Sequence, residues 1–260
     1  MGPVPRELAV EAIERLIALG KAEMPMILEP YTPRFKVASA ALVARILTLG
    51  ESIVHLSALD RRAELFTLNR CLFEHVVMLA WIAAPRDDSR LDIWQLRDNR
   101  DRLKVFNDFT DHGADLDIAT DADRDWLREA IEDSADLRGL PPVTELAAQA
   151  DRDWASLLNP SGSRDLGTLR GSYAVAYRLG SQTAHPTLVG LNFVSQIASA
   201  HTVVSLEPRD EVGQYLAPVT SFLVAALKIS SVVLGAPDQE AVQEVYVSFG
   251  ESFRRYHPNP

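Results

Sequence analysis

The chain has 260 residues, 47% of them hydrophobic and 24% charged, with a formal net charge of −10. That length and balance describe one globular domain able to bury a sizeable core without staples. The single cysteine, Cys71, excludes an internal disulfide and any multi-cysteine zinc site, and it fits a reducing, cytoplasmic setting.

The acidity is local. Between Asp111 and Asp136 lie ten acidic residues and two basic ones, Arg124 and Arg128, so the remainder of the chain is close to neutral. Residues 111–139 are expected to form an acidic peripheral insertion on a domain spanning 1–260. A near-neutral remainder leaves room for a local basic surface. Arg97, Arg100, Arg102 and Lys104 offer one, although Asp98, Asp101 and Asp108 fit a solvated helix face equally. Arg6, Glu7, Glu11, Glu14 and Arg15 interrupt any apolar leader near the N-terminus. The most membrane-like stretch, 215–236, contains Lys228 and several hydroxyl side chains and has no basic flank. A buried core helix, with no membrane partner, is the expectation.

Helical periodicity dominates the chain, with no strand pattern or hairpin dipeptide, so the expected class is all-α, a mostly antiparallel bundle of about nine helices. The first helix is expected over 6–23. Thr32 then reads as an N-cap with Pro33 at the first helical position, opening a helix to about 59. Asp60 is expected to cap the next, which stops at Pro85. A helix over 90–111 follows, and Thr120 with Asp123 has capping-box spacing for one that ends near Gly139. Pro141-Pro142 opens another, ending at 159–162. Further helices are expected over 168–184, interrupted by Gly171 and Gly180, and from Pro186 to about 206. The chain closes with an apolar helix over 209–234, kinked at Pro218 and stopped by Gly235, and with one capped by Asp238 that ends near Arg255.

Two polar constellations stand out. The first is Arg70 and Glu74, four apart on a helix that is otherwise apolar around most of its circumference. A charged pair there costs several kcal/mol in desolvation unless it is well hydrogen-bonded. It therefore reads either as an intrahelical ion pair at a wet seam or as part of a polar cluster lining a cleft. The neighbouring His75 reads as a packed or surface histidine. The second runs from Tyr177 to Pro186. On an α-helix Arg178, Ser181 and His185 fall on one face. Pro186 disfavours α conformation at His185 and so places it at a helix end. There an imidazole can move protons near neutral pH, and a guanidinium can hold a phosphate. The alternative is a structural network in which Arg178 pairs with Glu74 across the bundle.

Other chemistries find less support. The repeated Glu-x-x-His pairs of a di-iron bundle, His-Glu-x-x-His and the glycine-rich phosphate loops are all absent from the sequence. Residues 115–121 lack the glycine and glutamate of a calcium-binding loop. No metal and no cofactor is expected. Cys71 reads as inert core, His201 as a core histidine on an apolar helix face, and Trp81, Trp94, Trp126 and Trp154 as bundle anchors or seams.

Arg178-x6-His185 at the end of a helix resembles the Arg-x4–6-His motif of the HEPN superfamily (higher eukaryotes and prokaryotes nucleotide-binding). Arg70 to Glu74 on an apolar helix, with Tyr177-Arg178, Ser181 and His185-Pro186, is also similar to an uncharacterised bacterial family of all-helical proteins. The resemblance covers roughly 35–85 and 170–205. It implies a metal-independent ribonuclease acting as a homodimer in stress or phage defence. In that role His185 would be the general acid or base, Arg178 would hold the scissile phosphate, and Ser181 would assist. Arg70, Glu74 and Tyr177 would support the site, and RNA would be the partner. A second expectation, of a different class, is a non-catalytic helical module that binds a protein or small molecule, with the Arg/Glu/His cluster structural.

Overall fold

A computed structural model describes residues 4–23, 29, 31–59, 61–111, 120–158, 168–181, 195–198, 201–204 and 213–256. The fold is all-α. The helices are α1 (Arg6–Glu23), α2 (Arg34–Ala58), α3 (Arg62–Ala83), α4 (Ser89–Asp111), α5 (Asp121–Asp133), α6 (Val143–Asp153), α7 (Ala155–Leu158), α8 (Leu169–Ser172), α9 (Gly213–Leu234) and α10 (Gln239–Tyr256). A π-helical segment, Tyr173–Leu179, continues α8. The only strands among the described residues are β1 (Ser195–Ala198) and β2 (His201–Val204), paired antiparallel with Ser195 opposite Val204.

The paired strands correct the expected helix from Pro186 to about 206 over 195–198 and 201–204, the rest of it lying outside the described residues, and they move His201 from a helix face to a strand. Ile197, Thr202, Val203 and Val204 are β-branched, and their preference for a pleated surface outweighs a weak helical period.

The long helix α3 is central. It packs against α2, α6, α9 and the π-helical segment, while α1 lies across α2, α9 and α10. Phe73 of α3 is fully buried, 5.5 Å from Phe222 of α9 and 6.4 Å from Tyr173. Removing such a ring costs about 3–5 kcal/mol. By length and composition α2, α3 and α9 could each cross a membrane, yet 44, 61 and 67% of those stretches are buried within the bundle. Their apolar faces therefore have protein neighbours.

Local chemistry fixes the ends of these helices. The Thr120–Asp123 capping box forms as the spacing predicts, with both reciprocal backbone hydrogen bonds present. The helix it opens stops at Asp133, short of Gly139. At α2 the cap is Pro33, not Thr32, and no side chain of its own turn caps it. Asp88, from the α3–α4 connection, instead accepts from the Phe35 N–H at 2.8 Å. Asp60 lies outside the described residues, and Arg61 occupies the cap of α3. The last carbonyls of α3 are satisfied by side chains. Trp154 Nε1 donates to the Ala80 carbonyl at 2.7 Å and Arg90 donates to that of Trp81 at 2.8 Å. Trp81 and Trp154 are buried anchors, whereas Trp126 is 51% exposed. Pro218 sits inside α9, where the Tyr215 carbonyl accepts from Asn69 Nδ2 of α3 at 2.8 Å. That bond explains a buried asparagine on an apolar helix. Gly235 ends α9 with φ +78°, a conformation that suits glycine. Asp238 then accepts from the Glu240 N–H at 3.1 Å at the start of α10.

Of the acidic segment, 112–119 lies outside the described residues, and α5 packs on α4. On α4 the basic run is exposed, and Arg97 pairs with Asp101 at 2.7 Å.

Candidate functional site

The helix carrying Tyr177, Arg178 and Ser181 is clamped at both ends. At its start the Asp151 carboxylate of α6 accepts from the Leu169 and Arg170 N–H groups, each at 2.8 Å, and Thr168 Oγ1 accepts from the Gly171 N–H at 2.9 Å. Three orphan donors of a helix terminus are thereby satisfied. Burial holds the Asp151 carboxyl above the usual carboxylate range, although both backbone bonds pull it down.

At the other end the helix crosses α3 with almost no separation. A Cβ at Gly180 would lie 2.5 Å from the Phe66 carbonyl oxygen and 2.7 Å from Arg70 Cβ. Only glycine permits that approach. The sequence reading took Gly180 as an interruption of the helix, but it is the contact that lets the helix reach its neighbour.

On this crossing the two constellations meet. Arg70 Nε donates to Glu74 Oε1 at 3.1 Å, and an Arg70 terminal nitrogen donates to Ser181 Oγ at 3.1 Å. The Arg70 guanidinium lies 4.8 Å from the centroid of the Tyr177 ring, which stacks on Tyr173 at 4.9 Å with the planes 14° apart. Arg70 therefore has a carboxylate, a hydroxyl and an aromatic face as partners. Burial tends to lower its pKa, but the hydrogen bond and charge of Glu74 together raise it above the ordinary value. The ion pair is partly buried, with side-chain exposures of 24% and 33%, so it gains more than a surface pair does.

Of the predicted face of Arg178, Ser181 and His185, the first two are described, and they differ: Ser181 is half-buried against Arg70, whereas Arg178 is exposed. Tyr177 and Ser181, four apart across a π-helical turn, both meet Arg70 of α3. Glu74 takes Arg70 as its partner, not Arg178. His185 lies outside the described residues.

Next to Glu74 the structure adds a feature that the sequence reading passed over. Ala38, Ala41, Leu42 and Arg45 of α2, Glu74, His75 and Met78 of α3, and Trp94 of α4 line a groove of about 370 Å³. Small residues spaced three and four apart on α2 (Ala38, Ala41, with Arg45 in line) were its available signal. His75 is half-buried, and its Nδ1 lies 2.7 Å from the Cys71 carbonyl oxygen. A carbonyl only accepts, so Nδ1 carries a proton and donates it there. Cys71 is half-buried rather than sealed in the core. Burial first, and then the Glu74 charge, push its thiol up, so it remains protonated. Among the described residues no three His, Cys, Asp or Glu side chains gather where they could hold a metal ion.

The fold and this crossing define an all-helical protein whose polar centre sits between a core helix and a π-helical segment. Residues 36–197 match the model of a family of unknown function, DUF5677, and that span is well over half of the chain. The chain belongs to this family. The matched span contains Arg70, Glu74, Tyr177, Arg178, Ser181 and His185. No curated protein and no solved structure matches the chain.

Proposed function

We propose that this chain is a HEPN-like, metal-independent endoribonuclease of the cytoplasm, acting as a homodimer in bacterial stress or phage defence. The observation that carries this reading is the division of labour along the π-helical segment. Tyr177 and Ser181 are held on α3 by Arg70, while Arg178, between them, is exposed. An unfavourable local conformation that releases one cation to solvent is the kind of strain found at working sites. In this reading Arg178 holds the scissile phosphate, and Arg70 with Glu74 positions the helix. His185 takes the proton of a ribose 2′-hydroxyl, the 2′-oxygen bonds to the adjacent phosphorus, and the 5′-oxygen leaves with a proton. The products are a 2′,3′-cyclic phosphate and a free 5′-hydroxyl.

The test is cleavage of a mixed RNA pool in EDTA by wild type, Arg178→Ala and His185→Ala, each checked for folding by circular dichroism. Cyclic phosphate ends that vanish in both variants are expected. Absence of cleavage by well-folded wild type would overturn the reading.

A second reading is favoured by one observation, the closed partnership of Arg70 with Glu74, Ser181 and Tyr177. A cluster so fully spent fits a structural network in a non-catalytic module that binds a protein or small molecule. In that case His185→Ala lowers the melting temperature and no RNA is cut at all.

A further inference from the structure

The groove beside Glu74 collects three polar groups with capacity that no other described residue takes up. Glu74 gives Oε1 to Arg70, and its Oε2 has no hydrogen-bond partner among the described residues. His75 Nδ1 is taken by the Cys71 carbonyl, which leaves Nε2 as the ring atom open to a ligand. Arg45 is exposed and forms no ion pair among the described residues. Glu74 and Arg45 both act on the Cys71 thiol, in opposite directions, which puts both charges around one point at the α2–α3 seam. The remaining lining is apolar: Ala38, Ala41, Leu42, Met78 and the Trp94 indole. Its volume lies within the range of about 300–1,000 Å³ typical of small-molecule sites.

We propose that this groove binds a free α-amino acid with an aromatic or large apolar side chain. The ammonium donates to Glu74 Oε2, with His75 Nε2 beside it. The carboxylate takes the Arg45 guanidinium, and the side chain packs on Met78 and Trp94. A monoanion would leave Glu74 opposed by like charge, and a simple amine would leave Arg45 unused. The zwitterion satisfies both. The site borders the Arg70–Glu74 pair but takes no part in RNA cleavage at Arg178, and it gives the partner-binding reading a small-molecule ligand.

Titration calorimetry with L-phenylalanine, phenethylamine and 3-phenylpropionate tests it. L-Phenylalanine should bind wild type, and each half-ligand should bind roughly five- to tenfold more weakly, since each loses one charge-assisted contact at a partly open site. Arg45→Ala should remove the advantage of L-phenylalanine over phenethylamine, and Ala41→Trp should fill the groove and abolish binding of all three. Both positions are exposed, so the melting temperatures should match wild type. Absence of L-phenylalanine binding, or binding equal to that of the half-ligands, overturns the proposal. So does binding that Arg45→Ala and Ala41→Trp both leave unchanged. Any of these results leaves the RNA experiment, with its separate residues and readout, to decide the ribonuclease reading.

Discussion

Replacing Gly180 by alanine sets two well-known effects against each other. In an open helix, alanine for glycine stabilises by roughly 0.5–1 kcal/mol. At Gly180 the new methyl would meet the Phe66 carbonyl oxygen at 2.5 Å and Arg70 Cβ at 2.7 Å, and neither is the loose end of a flexible side chain. Relief requires the helix to back away from α3. Overpacking of this kind costs about 1–3 kcal/mol, and the retreat also stretches the Arg70–Ser181 bond and the Arg70–Tyr177 contact. The net expectation is a loss of about 1–3 kcal/mol, or a melting temperature lower by roughly 2–10 °C for a chain of this size. Urea unfolding at fixed pH and salt measures it, with an unchanged m-value as the check on two-state behaviour. Gly250→Ala is the internal control. It lies within α10 with nothing inside 4 Å of the added methyl, so it should gain up to about 1 kcal/mol. If Gly180→Ala matches that gain, the close crossing is not there and the account of the site helix fails.

A double-mutant cycle on Arg70→Met and Glu74→Gln should return a coupling of about 1 kcal/mol by urea unfolding, and additive losses would mean that the pair contributes nothing of its own. Asp151 has a folded pKa raised chiefly by burial, so between the ordinary carboxylate value near 4 and that raised value the folded state holds more protons than the unfolded one. Its contribution to stability is therefore full at low pH and is lost as pH rises through the folded pKa. Subtracting the stability–pH curve of Asp151→Asn from that of wild type should give a falling difference there, and a rising one would refute the assignment. Lys228, half-buried in α9, has its pKa lowered by desolvation, and no carboxylate pairs with it among the described residues. Lys228→Met should raise stability at pH 7 by up to about 1 kcal/mol in thermal unfolding, and a loss would mean that the ammonium makes a contact of value.

The fold was largely readable because most of its signals are local. Gly235 and Asp238, the Thr120–Asp123 box and the apolar period of α9 each act within a few residues of where they appear. What escaped depends on partners far along the chain. Thr32 has the composition of a cap, but the cap bond comes from Asp88. The hairpin at 195–204 depends on pairing, and its residues carry enough alternative periodicity to read as helix. For the site, the meeting of Arg70 with Ser181 could be guessed from polar residues on apolar helices. The π-helical register could not, because nothing in Tyr173–Leu179 announces i to i+5 bonding. The groove was hidden for a similar reason. Arg45, His75 and Trp94 come from three helices, and each looks ordinary on its own.

The bond from Asp88 to Phe35 has a consequence for how the chain comes into being. The first turn of α2 is completed by a residue 53 positions downstream. During synthesis from the N-terminus, α2 emerges whole while its terminating acceptor is still unmade, and at ordinary elongation rates that interval lasts roughly 1.5–6 s. Throughout it, the N-terminal end of α2 must fray or borrow water. That first turn locks only when α3 has emerged, reversed direction and brought the following connection back alongside. The start of the second helix thus records the arrival of the third.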